Sequence, residues 1–127
     1  AAAGYWSNAA AQGDESEAAA QGDGAKAAAQ GDRSKAAAQG DESNAAAQGD
    51  WSKAAAQGDW SKAEAKGDET LAMVCGINGS ARAGNNGAFA LPWIDGEQIR
   101  IAVGVIGEDG IKADTWYRVE NGRLVEA

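Results

Sequence analysis

The chain has 127 residues, a net charge of −8 and a hydrophobic share of 44%, a length suited to one domain or two small ones. Most of that hydrophobic share is alanine, and at roughly 25 cal/mol per Å² of buried apolar surface an alanine interior stabilises weakly. A dense hydrogen-bond ladder, an end cap or a partner chain must therefore help. The acidity argues against binding nucleic acid by counterion release, which needs Lys and Arg, and the lack of histidine excludes His-based triads and His metal sites.

There is no signal-peptide pattern and no apolar run long enough to cross a bilayer. Cys75 is the one cysteine, so an intrachain disulfide is impossible and a reducing compartment is preferred. These features lead to the expectation of a cytoplasmic setting and of no membrane partner. The charge is uneven: residues 1–69 hold 12 acidic and 6 basic side chains.

From the N-terminus, Gly4, Gly13, Gly22, Gly31, Gly40, Gly49, Gly58, Gly67 and Gly76 recur every nine residues, and Asp follows seven of them directly. Nine residues on an α-helix make about two and a half turns, which would scatter the glycines around a rod with no apolar stripe. Each interior Gly would also cost about 1 kcal/mol against Ala. A β reading fits better. The segment after Asp reads x-Ser-x-Ala-Ala-Ala-Gln, and alternation along a strand puts Ser52, Ala54 and Ala56 on one face. Trp51, Lys53, Ala55 and Gln57 fall on the other.

The letters that change between copies all fall on the second face, so small constant residues point inward and variable charged ones outward. Gly-Asp makes the turn, with Gly allowing positive φ and Asp bonding nearby backbone N–H groups within that turn. The expected architecture is all-β: a β-solenoid of nonapeptide repeats, two per coil, with an Ala/Ser interior and stacked at about 4.8 Å. The Ser-x-Ala-x-Ala-x-Gly cadence over residues 4–76 resembles the β-roll repeats in head domains of trimeric autotransporter adhesins, without their bulkier inward aliphatics. The calcium-binding Gly-Gly-x-Gly-x-Asp pattern is absent, so no calcium and no other cofactor is expected.

Repeat register continues through Thr70, Ala72 and Val74 into a degenerate last coil, with turns at Asn78-Gly79 and Asn86-Gly87. The solenoid is placed at residues 1–92. From Trp93 the composition changes, and residues 93–127 are expected to form a small antiparallel β cap. In it Ile99, Ile101, Val103 and Val105 alternate with Gln98, Arg100 and Ala102 as a half-buried strand that supplies aliphatic core. A turn at 107–110 follows, then a hairpin closed by Asn121-Gly122, a type I′ signal. The repeats together with Asp95-Gly96-Glu97-Gln98-Ile99, Asp114-Thr115-Trp116-Tyr117, Gly122 and Val125-Glu126 resemble a group of small phage and prophage proteins. That resemblance implies a phage origin and no particular activity.

An enzyme is not expected. Cys75 takes an outward position with no basic neighbour in register, the evenly spaced glycines form no phosphate loop, and the repeated Asp has a turn role. The candidate binding residues are Trp51 with Lys53 and Trp60 with Lys62, two Trp–Lys pairs suited to a sugar ring, a base or a partner protein. The acidic residues Asp41, Asp50, Asp59 and Glu42 join them. Two functions fit. In the first, the acidic rod occludes a basic host protein as an anti-defence inhibitor or DNA mimic: its spacing does not copy a phosphate backbone literally, but its overall field can do the work. In the second, the chain is a structural or adhesive shaft of a virion or cell surface, expected to be trimeric by its adhesin-like cadence; in either case a homo-oligomer is expected. An ice-binding role is weaker, because the outward positions hold Lys, Glu and Trp rather than a Thr ladder.

Overall fold

The computed structural model describes residues 2–127 and contains strands and turns with no helix. The strands are β1 (Ala2–Ala3), β2 (Asn8–Gln12), β3 (Glu17–Gln21), β4 (Lys26–Gln30), β5 (Lys35–Gln39), β6 (Asn44–Gln48), β7 (Lys53–Gln57), β8 (Lys62–Lys66), β9 (Leu71–Val74), β10 (Ser80–Arg82), β11 (Ala88–Asp95), β12 (Gln98–Val105), β13 (Tyr117–Glu120) and β14 (Arg123–Glu126). They form two seven-stranded sheets. The first runs β1-β3-β5-β7-β9-β11-β12 and the second β14-β13-β10-β8-β6-β4-β2. Through β11 successive strands thus alternate between the sheets, and strands one coil apart pair in parallel, with Lys35 opposite Lys53. The protein is a β-solenoid with two nonapeptides per coil and a short antiparallel end.

Alternation sorts the side chains as the repeat requires. Ala36, Ala38, Ala54, Ala56, Ala63 and Ala65 are at most 3% exposed, and Ser34, Ser43, Ser52 and Ser61 are fully buried. Lys53 and Gln57 lie outside. With only methyl and hydroxymethyl groups between them, facing strands bring Cα atoms within 8 Å of each other, closer than the ~10 Å usual for stacked sheets.

The first variable letter departs from the expected strand face. Trp51 and its equivalents sit in the turns, with the strand starting two residues later at Lys53. Trp6, Glu15, Arg33, Glu42, Trp51, Trp60 and Glu69 all have φ between 58 and 65°, and Ser52 N–H donates to Gly49 O at 3.3 Å. This is a turn whose third residue is left-handed, a position that Gly and Asn favour. Repeat similarity hides the strain because Trp, Glu and Arg fill seven of the eight copies of the site and glycine, as Gly24, only one. At Gly49, φ is +122° and an added Cβ would lie 2.2 Å from the Gly31 carbonyl oxygen. Stacked turns therefore admit only glycine there.

The last coil is shorter by one residue: Ala88 lies opposite Leu71, whereas Lys53 lies opposite Leu71 at the full spacing. Asn78 and Asn86 take its left-handed turn positions at φ 60 and 59°. β11 then continues past the end of β9, so Pro92, which has no N–H to give, falls where only β12 is paired with it. The antiparallel end extends both sheets, β12 adding to the first and the β13–β14 hairpin to the second. Asn121 and Gly122 both have positive φ, as a type I′ hairpin demands.

The aliphatic strand is turned over relative to the expectation. Ile99, Ile101, Val103 and Val105 are 72, 66, 61 and 41% exposed, and Gly104 is the buried residue of β12. The interior at this end is filled by Phe89 and Leu91 from β11 and by Tyr117, whose ring stacks on Phe89 with centroids 5.2 Å apart. A Cβ on Gly104 would meet the Phe89 ring at 2.3 Å. The large ring claims the space beneath β12, so only Ala102 and Gly104 fit inward and the branched residues point out.

Burial separates two otherwise similar substitutions. Ala54→Leu overfills the methyl-wide interior and is expected to lower stability by about 1–3 kcal/mol, whereas Ala55→Leu on the outer face stays within about 0.5 kcal/mol. Chemical denaturation of the two variants measures the difference.

Candidate functional site

The sequence-derived candidates divide between the two edges of the rod. Asp50 and Trp51 belong to the turn from the second sheet to the first, with Lys53 opening the strand that follows; Asp41, Glu42, Asp59 and Trp60 belong to the opposite edge, with Lys62 opening the strand after it. Glu42 and Trp60 stack one coil apart, Glu42 N–H reaching Asp59 O and Trp60 N–H reaching Ile77 O at 2.9 Å each.

The repeated Asp has a structural task that differs from the one its turn position implied. In a corner such as Gly49–Ser52, the N–H of Gly49 donates to Lys66 O, that of Trp51 to Asp68 O and that of Ser52 to Gly49 O. Asp50 N–H is left without a carbonyl and donates instead to the Asp32 carboxylate, Oδ1 at 3.2 Å. The same rung recurs from Asp41 N–H to Asp23, Asp59 N–H to Asp41 and Asp68 N–H to Asp50, at 3.0–3.1 Å. Each carboxylate thus serves the next coil rather than its own turn. The series ends where Ile77 N–H donates to Asp59. No coil follows at that edge, and the position after Gly76 needs no further acceptor.

The neighbouring letters bridge coils in the same way. Ser34 and Ser43 donate their hydroxyls to Gln48 O and Gln57 O at 2.9 and 3.0 Å. Outside, Gln12, Gln30 and Gln48 link amide to amide at 3.0–3.1 Å in a ladder along the outward Gln column. On the outer face of the second sheet, Ala10, Ala28 and Ala46 leave a shallow trough flanked by Asn8, Lys26 and Asn44.

Charge is segregated by this geometry. One edge carries Asp14, Glu15, Asp32, Asp50, Asp68 and Glu69 against the single cation Arg33, which donates to Glu15 at 3.4 Å in an exposed pair. The other edge carries Asp23, Asp41, Glu42 and Asp59 with no cationic side chain among the described residues. The lysines stand on the broad faces, at Lys26, Lys35, Lys53, Lys62 and Lys66. Glu17 and Glu64 also stand on the faces, each paired with a cation there, so the acidity forms mainly two rails along a rod whose flat sides are neutral to basic.

At the junction with the antiparallel end, a groove of about 870 Å³ is lined by Trp60, Lys62, Trp93, Asp95, Arg118 and Asn121. Trp60 is 64% exposed at its rim, and the Trp93 ring rests against Gly122, whose added Cβ would come within 2.9 Å of it. Lys62 Nζ lies 6.0 Å above the ring of Trp116, at the outer limit of a cation–π contact. Trp93, Trp116 and Arg118 were not singled out by the sequence, which offers no periodic cue for them: they follow the change in composition. Trp51, 59% exposed, stands on the opposite edge away from this groove.

Among the described residues there is no group of three His, Cys, Asp or Glu side chains placed to hold a metal ion, and no helix long and apolar enough to cross a membrane. Cys75 is exposed and extends the outward column of Gln21, Gln39 and Gln57.

The rung geometry distinguishes two substitutions of one residue. Asp50→Ala removes the acceptor for Asp68 N–H and is expected to cost about 1 kcal/mol, whereas Asp50→Asn keeps an acceptor oxygen and loses less. Thermal unfolding of both variants measures this order.

The chain matches no family model, and no curated protein or solved structure is significantly similar to it.

Proposed function

We propose that the chain is a non-catalytic, phage-encoded binding protein that sets an acidic edge of its rod against a basic surface of a host protein and occludes it. The observation that carries this reading is the segregation of carboxylates onto rails already held by coil-to-coil hydrogen bonds. Asp side chains anchored in this way lose little rotamer freedom on docking, which removes part of the usual cost of association. Like charges at about 4.8 Å spacing also sum to a strong local field, which speeds encounter with a basic partner. The edge tryptophans Trp51 and Trp60 add large, rigid contact area within the rails, where interface energy concentrates in aromatic anchors. The likeness of the repeats and tail to phage proteins supports a host factor, such as a component of a defence complex, as the partner.

A second reading, a shaft module of a virion or cell surface, is favoured by one observation: the aliphatic residues of β12 lie exposed, as in a chain that is completed by other copies. A stable trimer in solution would favour it over occlusion by the acidic edge.

The two edges are tested through Glu42 and Glu69, carboxylates outside the Asp rungs. Host lysate passed over the immobilised chain at low salt is expected to leave basic proteins bound, and about 1 M salt, where screening acts beyond ~3 Å, should release them. Glu42→Gln with Glu69→Gln should weaken that retention while leaving the fold intact. Retention of no basic protein at low salt, or retention indifferent to salt and to both substitutions, overturns the reading.

A further inference from the structure

We propose that the outer face of the β11–β12 hairpin is the interface of a two-fold homodimer, in which the same aliphatic ladder of two copies packs face to face. This does not rest on the acidic-edge reading and uses a different surface.

Met73, Ile94, Ile99, Ile101, Val103 and Val105 are 40–72% exposed. Register places them on one outward side of the first sheet: Ile94 opposite Ile99, Ala90 opposite both Val103 and Met73, and Ala88 opposite Val105. Alternation turns the polar residues of the hairpin to the other side, where Arg100 donates to Asp95 at 2.6 Å. The result is a contiguous apolar face on the order of 600 Å², at the top of the range for the largest patch on a lone soluble chain. Two such faces bury about 1,200 Å² together, the size at which specific interfaces begin.

The area of this face and its lack of charge fit a second copy as occupant. Two molecules of net charge −8 repel on most approaches, and most strongly along the acidic edges. The outward columns of β9, β11 and β12 carry no carboxylate. This face lets two copies meet with their acidic edges held apart. A lipid surface fits less well, because the Lys/Arg cluster that draws a protein to anionic headgroups is missing from the patch. A flat sheet face packed on its own copy is isologous and closes after one contact, so the assembly stops at two.

Sedimentation equilibrium is expected to give twice the 12.8 kDa chain mass for the wild type. Ile101→Glu places a charge at the centre of the contact and should weaken the dimer by about 100-fold or more. Because Ile101 is solvent-exposed in the single chain, the variant should keep the wild-type circular-dichroism spectrum. Ala19→Glu, on the same sheet at its far end, should leave the mass unchanged. A wild-type monomer at the highest soluble concentration overturns the proposal, as does a trimer, a dimer indifferent to Ile101→Glu, or a monomer that binds neutral lipid vesicles through this face.

Discussion

The rod depends on one constraint: each corner must lie directly on the corner of the coil beneath it. A Cβ on Gly49 would come 2.2 Å from the Gly31 carbonyl oxygen, so the stack closes only where glycine recurs at every corner. Once the corners are stacked, the backbone N–H inventory of the turn is fixed, and one donor per corner has no carbonyl to reach. Burying or stranding a backbone donor is costly. The Asp carboxylate of the preceding coil accepts it, and a residue that appears to belong to a local turn becomes the tie between coils.

That tie compensates for a poor core. Each inward alanine removes little surface from water, and alanine is a weak strand former. The interior contributes by being narrow rather than large, since it lets the Ser hydroxyls span to carbonyls of the next coil at 2.9–3.0 Å. Backbone rungs, Asp rungs, Ser bridges and Gln ladders repeat together at every coil, each modest and all cooperative along the axis. The surface ion pairs add less, for example Lys35 to Glu17 at 3.6 Å with both side chains well exposed, because such pairs are screened and contribute about 0–1 kcal/mol each. The antiparallel end closes the stack with large side chains, and its stacked Phe89–Tyr117 rings fill the interior there.

Function follows from what this leaves on the surface. The inside is the same at every coil, so variation is confined to the corners and the outer columns. The carboxylates collect on the edges, the lysines on the faces, and the aromatic residues at the rims and at the junction groove. Binding readings therefore rest on how the surface is partitioned rather than on any enclosed cavity of catalytic groups. The exposed Ile and Val residues of β12 form a third kind of surface, an outward face that carries no carboxylate.

The period, the two-sheet coil, the inward Ser and Ala and the outward Lys and Gln were all legible in the amino-acid sequence. Strand alternation has only two outcomes, and an invariant small residue every second position selects one of them. The turn signals at Asn78, Asn86 and Asn121-Gly122 were legible for the same local reason. Three features were settled only by tertiary structure. Trp51 and its equivalents are left-handed because the neighbouring Gly corner dictates their φ, whatever residue stands there. Asp50 serves another coil because the geometry of stacking, invisible within one repeat, leaves a donor unpaired. The Ile and Val ladder faces outward because Phe89 occupies the space beneath Gly104: periodicity finds the two faces of a strand, but the packing of a distant ring chooses which one is buried.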